Sequence, residues 1–244
     1  MIILFTDFGT HGPYVGQLKA RLQEHAPTQP VIDLLHEAPA YNAHAGAHLL
    51  AAFAPTFPSG SVFLAVVDPG VGTPRDAVVM MSGGHWFVGP DNGLLSVIAA
   101  RHADTKLWRI VWQPQTLLAT FHGRDLFAVI AAEIARGDFP HDKLAAITKL
   151  TVEFDAGDLM RVVYLDHFGN AWSGLRGTDI SKQVRISARG VSFTHSESFG
   201  FVGRGEGFWF VNSVGLVELA VNRGNAATIY GLAVGDAIQL QHLN

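Results

Sequence analysis

Apolar, valine-rich runs of four to seven residues alternate with stretches of helical period over roughly the first 150 residues, and beyond that the helical period nearly stops. This alternation constrains the fold more than any other feature. Strands that are apolar on both sides need helices on both sides, and helical crossovers between them favour parallel neighbours. Ile2–Phe5 reads as the first strand, and Tyr14, Val15, Leu18 and Leu22 have the spacing of a helix face. "VIDLL", "SVFLAVV", "AVVMM", "HWFVG" and "KLWRIVW" read as further strands. "AYNAHAGAHLLAAF", "NGLLSVIAARH" (with Asn92 as its N-cap) and "GRDLFAVIAAEIARG" (ending at Gly137) read as helices.

The later runs "RVVYLDHFGNAW", "QVRISARGVSFT", "GFWFVNS", "LVELAVN" and "DAIQLQHL" are short, β-rich and punctuated by Gly, Asn and Asp. The expected fold class is α/β. An N-terminal α/β domain with a mostly parallel sheet covers residues 1–152, and a smaller all-β, barrel-like domain covers 158–244, with the boundary near 148–160 in "TKLTVEFDAGDLM".

Composition narrows the function. Apolar residues make up 48% of the chain and charged ones 16%, too apolar for disorder. The net charge is −4 without a Lys/Arg run, so no nucleic-acid footprint is expected. The absence of cysteine removes disulfides, thiolate nucleophiles and cysteine metal sites together. "MIILFTDFG" has no basic n-region, and no run approaches the ~18 apolar residues of a membrane helix. A soluble, cytoplasmic protein with no membrane partner is the expectation.

The polar residues of the first half gather where strands end, the side on which open α/β sheets bind ligands. Asp7, Asp68 and Asp91 are candidates for one shared pocket there, although each could instead cap a helix or shape a turn. Asp7 precedes Phe8-Gly9 and suits the two hydroxyls of a ribose. Neither GxGxxG nor GxxxxGK[ST] occurs, which argues against a polyphosphate cradle. In "LAVVDPGVGTPRDAVV", Pro69, Gly70 and Gly72 suffice for a turn, so Asp68 and Arg75 on either side of it need another explanation. "FHGRDLF" adds His122 beside Arg124 and Asp125, an acid–base set or, for the last two, a structural ion pair.

His44 and His48 share a helix face with His36 nearby, a spacing that can ligate a metal, but "HAGAH" lacks the glutamate of HExxH. In the second half, "DHFGNAW" forms a polar turn among aromatics. Phe168, Trp172 and Phe199 could sandwich a flat ring or fill a β core. "NSVGLVELA" and "NRGNAA" are further polar turns.

"TDFG…YVG", "VVDPGVG…R", "VGPDNG", "FHGRD", "DHFGN" and "NSVGLVELA" occur in the order seen in the S-adenosyl-L-methionine (SAM) hydroxide adenosyltransferases, or SAM hydrolases, relatives of the fluorinase and chlorinase. The chain resembles that family from Thr6 to about Ala227. The resemblance implies hydrolysis of SAM to adenosine and L-methionine by water or hydroxide at ribose C5′, with no metal and no cofactor. It implies a catalytic triad of Asp68, Arg75 and His122, which the halogenating relatives lack. It assigns Asp7 to the ribose hydroxyls, Asp166, Asn170 and Ser213 to the methionine or adenine ends, and Phe168, Phe199 and Ala226 to the adenine pocket. It also implies a homotrimer with sites shared between subunits. One departure is Gly12, where relatives often carry Asp. The alternatives are a metal-dependent hydrolase built on His36, His44 or His48 with the Asp residues, a non-catalytic adenosine- or SAM-binding regulatory protein and, more remotely, a halogenase.

Overall fold

The computed structural model describes residues 1–178 and 180–241, so Asp179 and the end of the "DAIQLQHL" run fall outside the described residues. The chain divides into two compact units, Met1–Ala156 and a second that begins at Gly157. The first runs β1 (Ile2–Thr6), α1 (Tyr14–His25), β2 (Val31–Leu35), α2 (Ala43–Phe53), β3 (Val62–Val66), β4 (Ala77–Ser82), β5 (His85–Pro90), α3 (Ser96–Arg101), β6 (Lys106–Ile110), α4 (Ala128–Ala135) and β7 (Leu144–Ile147). Its sheet has the order β2-β1-β3-β5-β4-β6-β7. The first four strands of that order are mutually parallel, and the pairings β5-β4, β4-β6 and β6-β7 are antiparallel. Only β4 and β7 therefore run against the common direction.

β1 and β3 are buried along their whole length, as apolar runs sandwiched between helices must be. Ile2, Leu4, Leu64 and Val66 face Leu18 and Leu22 of α1 and Ile130 of α4. α2 covers the opposite face, its Gly46 lying against Phe5 and Val67. Each such side chain contributes about 1.5–3 kcal/mol of burial. One local expectation fails. Asn92 caps no helix, because α3 starts only at Ser96. Its side chain instead donates to the Val67 carbonyl at 2.8 Å and accepts from the Leu94 amide, tying the loop after β5 to the end of β3.

The second unit comprises β8 (Leu159–Leu165), β9 (Ala171–Arg176), β10 (Arg185–Ala188), β11 (Val191–His195), β12 (Gly207–Val211), β13 (Leu216–Val221), the short helix α5 (Ala226–Tyr230) and β14 (Ile238–Gln241). The strand order is β14-β10-β11-β12-β13-β9-β8, antiparallel except for β11-β12. The two ends of that order nearly meet. Val162 donates to Asp236 at 2.9 Å and accepts from Gly235 at 2.8 Å, giving an almost closed barrel. Phe193, Trp209, Val217 and Leu219 fill it. Among the described residues no helix is long and apolar enough to cross a membrane.

Candidate active site

β1 and β3 are adjacent and parallel, so the residues that follow them, Asp7 and Asp68, emerge side by side at the carboxyl end of the sheet. The loop after β3 folds back on itself through Val71 N–H to the Asp68 carbonyl and Thr73 N–H to the Gly70 carbonyl. Gly72 has φ +80°, and a Cβ there would lie 2.7 Å from the Ala119 carbonyl oxygen, so only glycine fits. This compact turn returns Arg75 to Asp68. Arg75 Nε donates to both carboxylate oxygens at 2.9 and 3.0 Å, and its Nη2 donates to Oδ2 as well. The pair is buried, with 10% and 4% of the two side chains exposed.

Arg75 Nη2 also lies 3.2 Å from His122 Nδ1, Nη1 donates to the Asp76 carbonyl at 3.1 Å, and the guanidinium sits 5.3 Å above the Phe127 ring. Guanidinium has donors only, so the Nδ1 facing it must be the bare nitrogen, and the proton of the neutral ring sits on Nε2. Burial, reinforced by the Arg75 charge, holds His122 below the ordinary imidazole value against the opposite pull of Asp68 and Asp125. His122 therefore presents a neutral ring with an N–H donor on its far side.

His122 immediately precedes a π-helical turn, Gly123–Phe127, that leads into α4. Such turns break the regular helical ladder, frequently at functional sites. Arg124 and Asp125 are a structural pair. Arg124 bonds both carboxylate oxygens of Asp125 and reaches Gln17, while Asp125 accepts from the Leu118 amide and so braces the loop that carries His122. Asp7 accepts from the Tyr41 amide at 3.1 Å. Burial pushes its carboxyl up and the charge of Asp68 adds to this, with the Tyr41 amide opposing. Asp91 does not join them as a ligand group. It is 4% exposed and both its oxygens accept from the Thr151 amide, at 3.1 and 2.9 Å.

The histidine cluster is also committed elsewhere. His36 holds Thr6 at 2.8 Å through Nδ1 and Asp33 at 3.2 Å through Nε2, and His44 stacks on Phe154 at 4.4 Å. Among the described residues no group of three or more His, Asp or Glu side chains is placed to hold a metal.

The second unit contains a cavity of about 610 Å³, lined by Asp166, Phe168, Asn170, Phe199, Glu218 and Arg223 among others. That volume suits a nucleoside-sized ligand. Asp166 organises its mouth by accepting from the amides of Phe168 and Asn170, both at 2.9 Å. Gly169 completes the turn at φ +80°, with Asn225 packed where a Cβ would stand. Phe199 is anchored edge-on against Phe208 and Phe210, and Phe168 leaves 71% of its surface free.

Residues 2–144 match the SAM hydroxide adenosyltransferase N-terminal domain, and residues 160–239 match the SAM hydroxide adenosyltransferase C-terminal domain. The chain belongs to the SAM hydroxide adenosyltransferase family. An (R)-S-adenosyl-L-methionine hydrolase of Thermus thermophilus is 35% identical to this family member over 98% of both chains. A protein of the same description from Salinispora tropica is 37% identical over 96% of this chain and 95% of its own. The crystal structure of an uncharacterized conserved protein from Thermotoga maritima is 32% identical and covers 99% of this chain and 100% of its own, with a TM-score of 0.88.

Within this adenosyltransferase fold, Asp68, Arg75 and His122 form one contact set, with Asp7 electrostatically coupled to it. Asp166, Phe168, Asn170 and Phe199 share the cavity of the C-terminal unit. Ser213 is exposed on the turn between β12 and β13, and Ala226 is buried at the start of α5; neither is among the residues lining that cavity. Gly12 is exposed in the loop between β1 and α1.

Sequence reasoning missed Glu218 and Arg223. The signal for Glu218 was present: a lone acid inside "LVELAV", a strand otherwise buried at every position. Arg223 lies in a Gly/Asn turn with φ +57° and carried no comparable signal.

Proposed function

We infer that the protein hydrolyses SAM to adenosine and L-methionine, with water or hydroxide attacking ribose C5′ and the neutral thioether of methionine leaving. The observation that carries this reading is the Asp68–Arg75–His122 contact set in a member of a family whose relatives bear the name (R)-S-adenosyl-L-methionine hydrolase. Those names also direct attention to the R configuration at sulfur as the preferred substrate.

The residues divide the work by what each can still do. Four of the five N–H groups of Arg75 are occupied by Asp68, His122 and the Asp76 carbonyl, so its role is to hold the other two in register. His122 offers its Nε2–H to the attacking oxygen as negative charge builds there. Asp68 has carboxylate lone pairs beyond those used by Arg75 and is the acceptor for the water proton. Hydroxide and sulfonium neutralise each other as they approach, so a dry pocket does not oppose the step. Asp7 holds the ribose hydroxyls, and the aromatic cavity lined by Asp166, Phe168, Asn170 and Phe199 takes the adenine and methionine ends. In this reading the protein is a cytoplasmic homotrimer, each substrate held jointly by neighbouring subunits.

The test is mass spectrometry of the purified protein incubated with each SAM epimer in oxygen-18 water. Adenosine carrying one label at its 5′-oxygen, with free methionine, is the expected result. Tight binding without adenosine would mean a binding protein, and chlorinated nucleoside formed with chloride present would mean a halogenase.

The pH profile gives a second check. Protonating His122 removes the acceptor for Arg75, and this happens only below the ordinary imidazole value because the group is shifted down. In Glu218→Gln, where the acid of the C-terminal cavity no longer titrates, kcat/KM is expected to be flat from pH 8 to about 6.5 and to fall on the acid side of that. Loss of half the activity above pH 7 that persists in Glu218→Gln would remove His122 from this role.

A further inference from the structure

Glu218 is an acid that the proposed chemistry does not use. It lies on β13 opposite Trp172 of β9 and Phe210 of β12, is 4% exposed, and lines the cavity of the C-terminal unit. Asn212 donates to its Oε2 at 3.1 Å. The orientation of Asn212 is not in question, because its own Oδ1 accepts from the amides of Val214 and Leu216 at 3.1 and 3.0 Å. Asn170 lines the same cavity as Glu218, opposes the rise of its carboxyl as a donor, and donates through Nδ2 to Asp166 Oδ2 at 3.2 Å. Two carboxylates thus claim the NH₂ of the Asn170 carboxamide, and the polar atom left over is Oδ1.

We propose that Glu218 is a positioning residue which, together with Asp166, fixes the Asn170 carboxamide with its NH₂ turned to the two acids and its Oδ1 offered to the cavity. The cavity then recognises a ligand edge that donates, such as the exocyclic amine of an aminopurine, over one that accepts. This rests on the reading of the cavity as the nucleoside end of the site.

The arrangement depends on the charge of Glu218. Both its partners are donors, so the carboxylate satisfies them and the protonated acid does not, since its O–H would face a donor. Asn212 cannot turn, because the β12–β13 turn holds it. The Asn170 carboxamide is the group that must yield, losing its fixed orientation. The charged groups that face Glu218 across the cavity are Asp166, from the turn between β8 and β9, and Arg223, from the loop after β13. Burial above all, and then Asp166, pushes the Glu218 carboxyl up to about 7, with the hydrogen bonds from Asn212 and Asn170 opposing, so both charge states are reached near neutrality.

The experiment is a pH titration of the intact protein from 5.5 to 8.5, following the Asn170 side-chain NH₂ signals by nitrogen-15 NMR, with adenosine affinity measured by calorimetry. The expected result is a shift of the Asn170 signals with a midpoint near 7 and adenosine affinity about three- to tenfold weaker at pH 6 than at pH 8, the range expected for one lost hydrogen bond. In Glu218→Gln both readouts should be flat and the affinity should stay at the acid-form level, because glutamine likewise presents a donor; Glu218→Asp should recover part of the pH response. Asn170 signals that do not move across this range in the wild type would overturn the proposal, as would full affinity in Glu218→Gln at pH 8. Neither NMR result depends on turnover. A responsive Asn170 in a protein that releases no adenosine would leave the positioning role standing and remove the hydrolase reading.

Discussion

Arg75→Ala is expected to lower kcat for SAM cleavage by about 10²–10³ and, at the same time, to destabilise the N-terminal unit by about 3–5 kcal/mol. The two effects have one origin. Asp68 is 4% exposed at its side chain and Arg75 is the basic residue bonded to it, so deleting the guanidinium leaves a buried carboxylate uncompensated. His122 loses its Nδ1 donor in the same stroke. A fall in activity alone would therefore be ambiguous. The double variant Asp68→Ala/Arg75→Ala resolves it, because removing both charges together avoids the unpaired ion and should recover most of the lost stability. Activity should not recover, since groups acting as one unit are lost once and for all with the first deletion. Denaturant unfolding and adenosine release measured on the three proteins decide the matter. Arg75→Ala with wild-type kcat would end the assignment of this contact set as the catalytic centre.

The parts of the candidate site that stand out in the sequence are those whose charges have no other use. A turn between two buried strands needs glycine and proline, so Asp68 and Arg75 stood out. The β1 and β3 runs were legible because full burial leaves no alternation to misread. Contacts between residues far apart in the chain were not legible. Asp91 looked like Asp7 and Asp68, but its partner is an amide sixty residues later, and no local pattern announces that. Propensity alone makes Asn92 a cap, while its tertiary bond to the Val67 carbonyl takes precedence. The C-terminal cavity draws on the turn at 166–170, on Phe199 and on Glu218 to Gly224, three segments whose meeting only the barrel defines. Strand β7 is four residues of Leu, Ala, Ala and Ile, too short and plain to register as a strand.

Glu218→Gln is expected to stabilise the protein by about 3 kcal/mol at pH 8 while gaining nothing at pH 4.5. The sign follows from which state holds the proton. The folded value is about 7 against an ordinary 4.5, so as pH rises from 4.5 the unfolded chain ionises this glutamate first and binds fewer protons than the folded one. Stability is therefore drawn down between pH 4.5 and 7 and stays down above it, by about 3 kcal/mol for a difference of this size. Glutamine keeps the shape and never ionises, which removes that loss. Unfolding free energies of the two proteins, measured at both pH values, check the difference directly; equal stability at pH 8 would mean that Glu218 ionises at an ordinary pH and holds Asn170 at no cost. If the variant is more stable yet binds adenosine less tightly at pH 8, the buried acid is retained at the expense of folding for what it does to its neighbour, which is how a strained group at a functional site differs from a structural one.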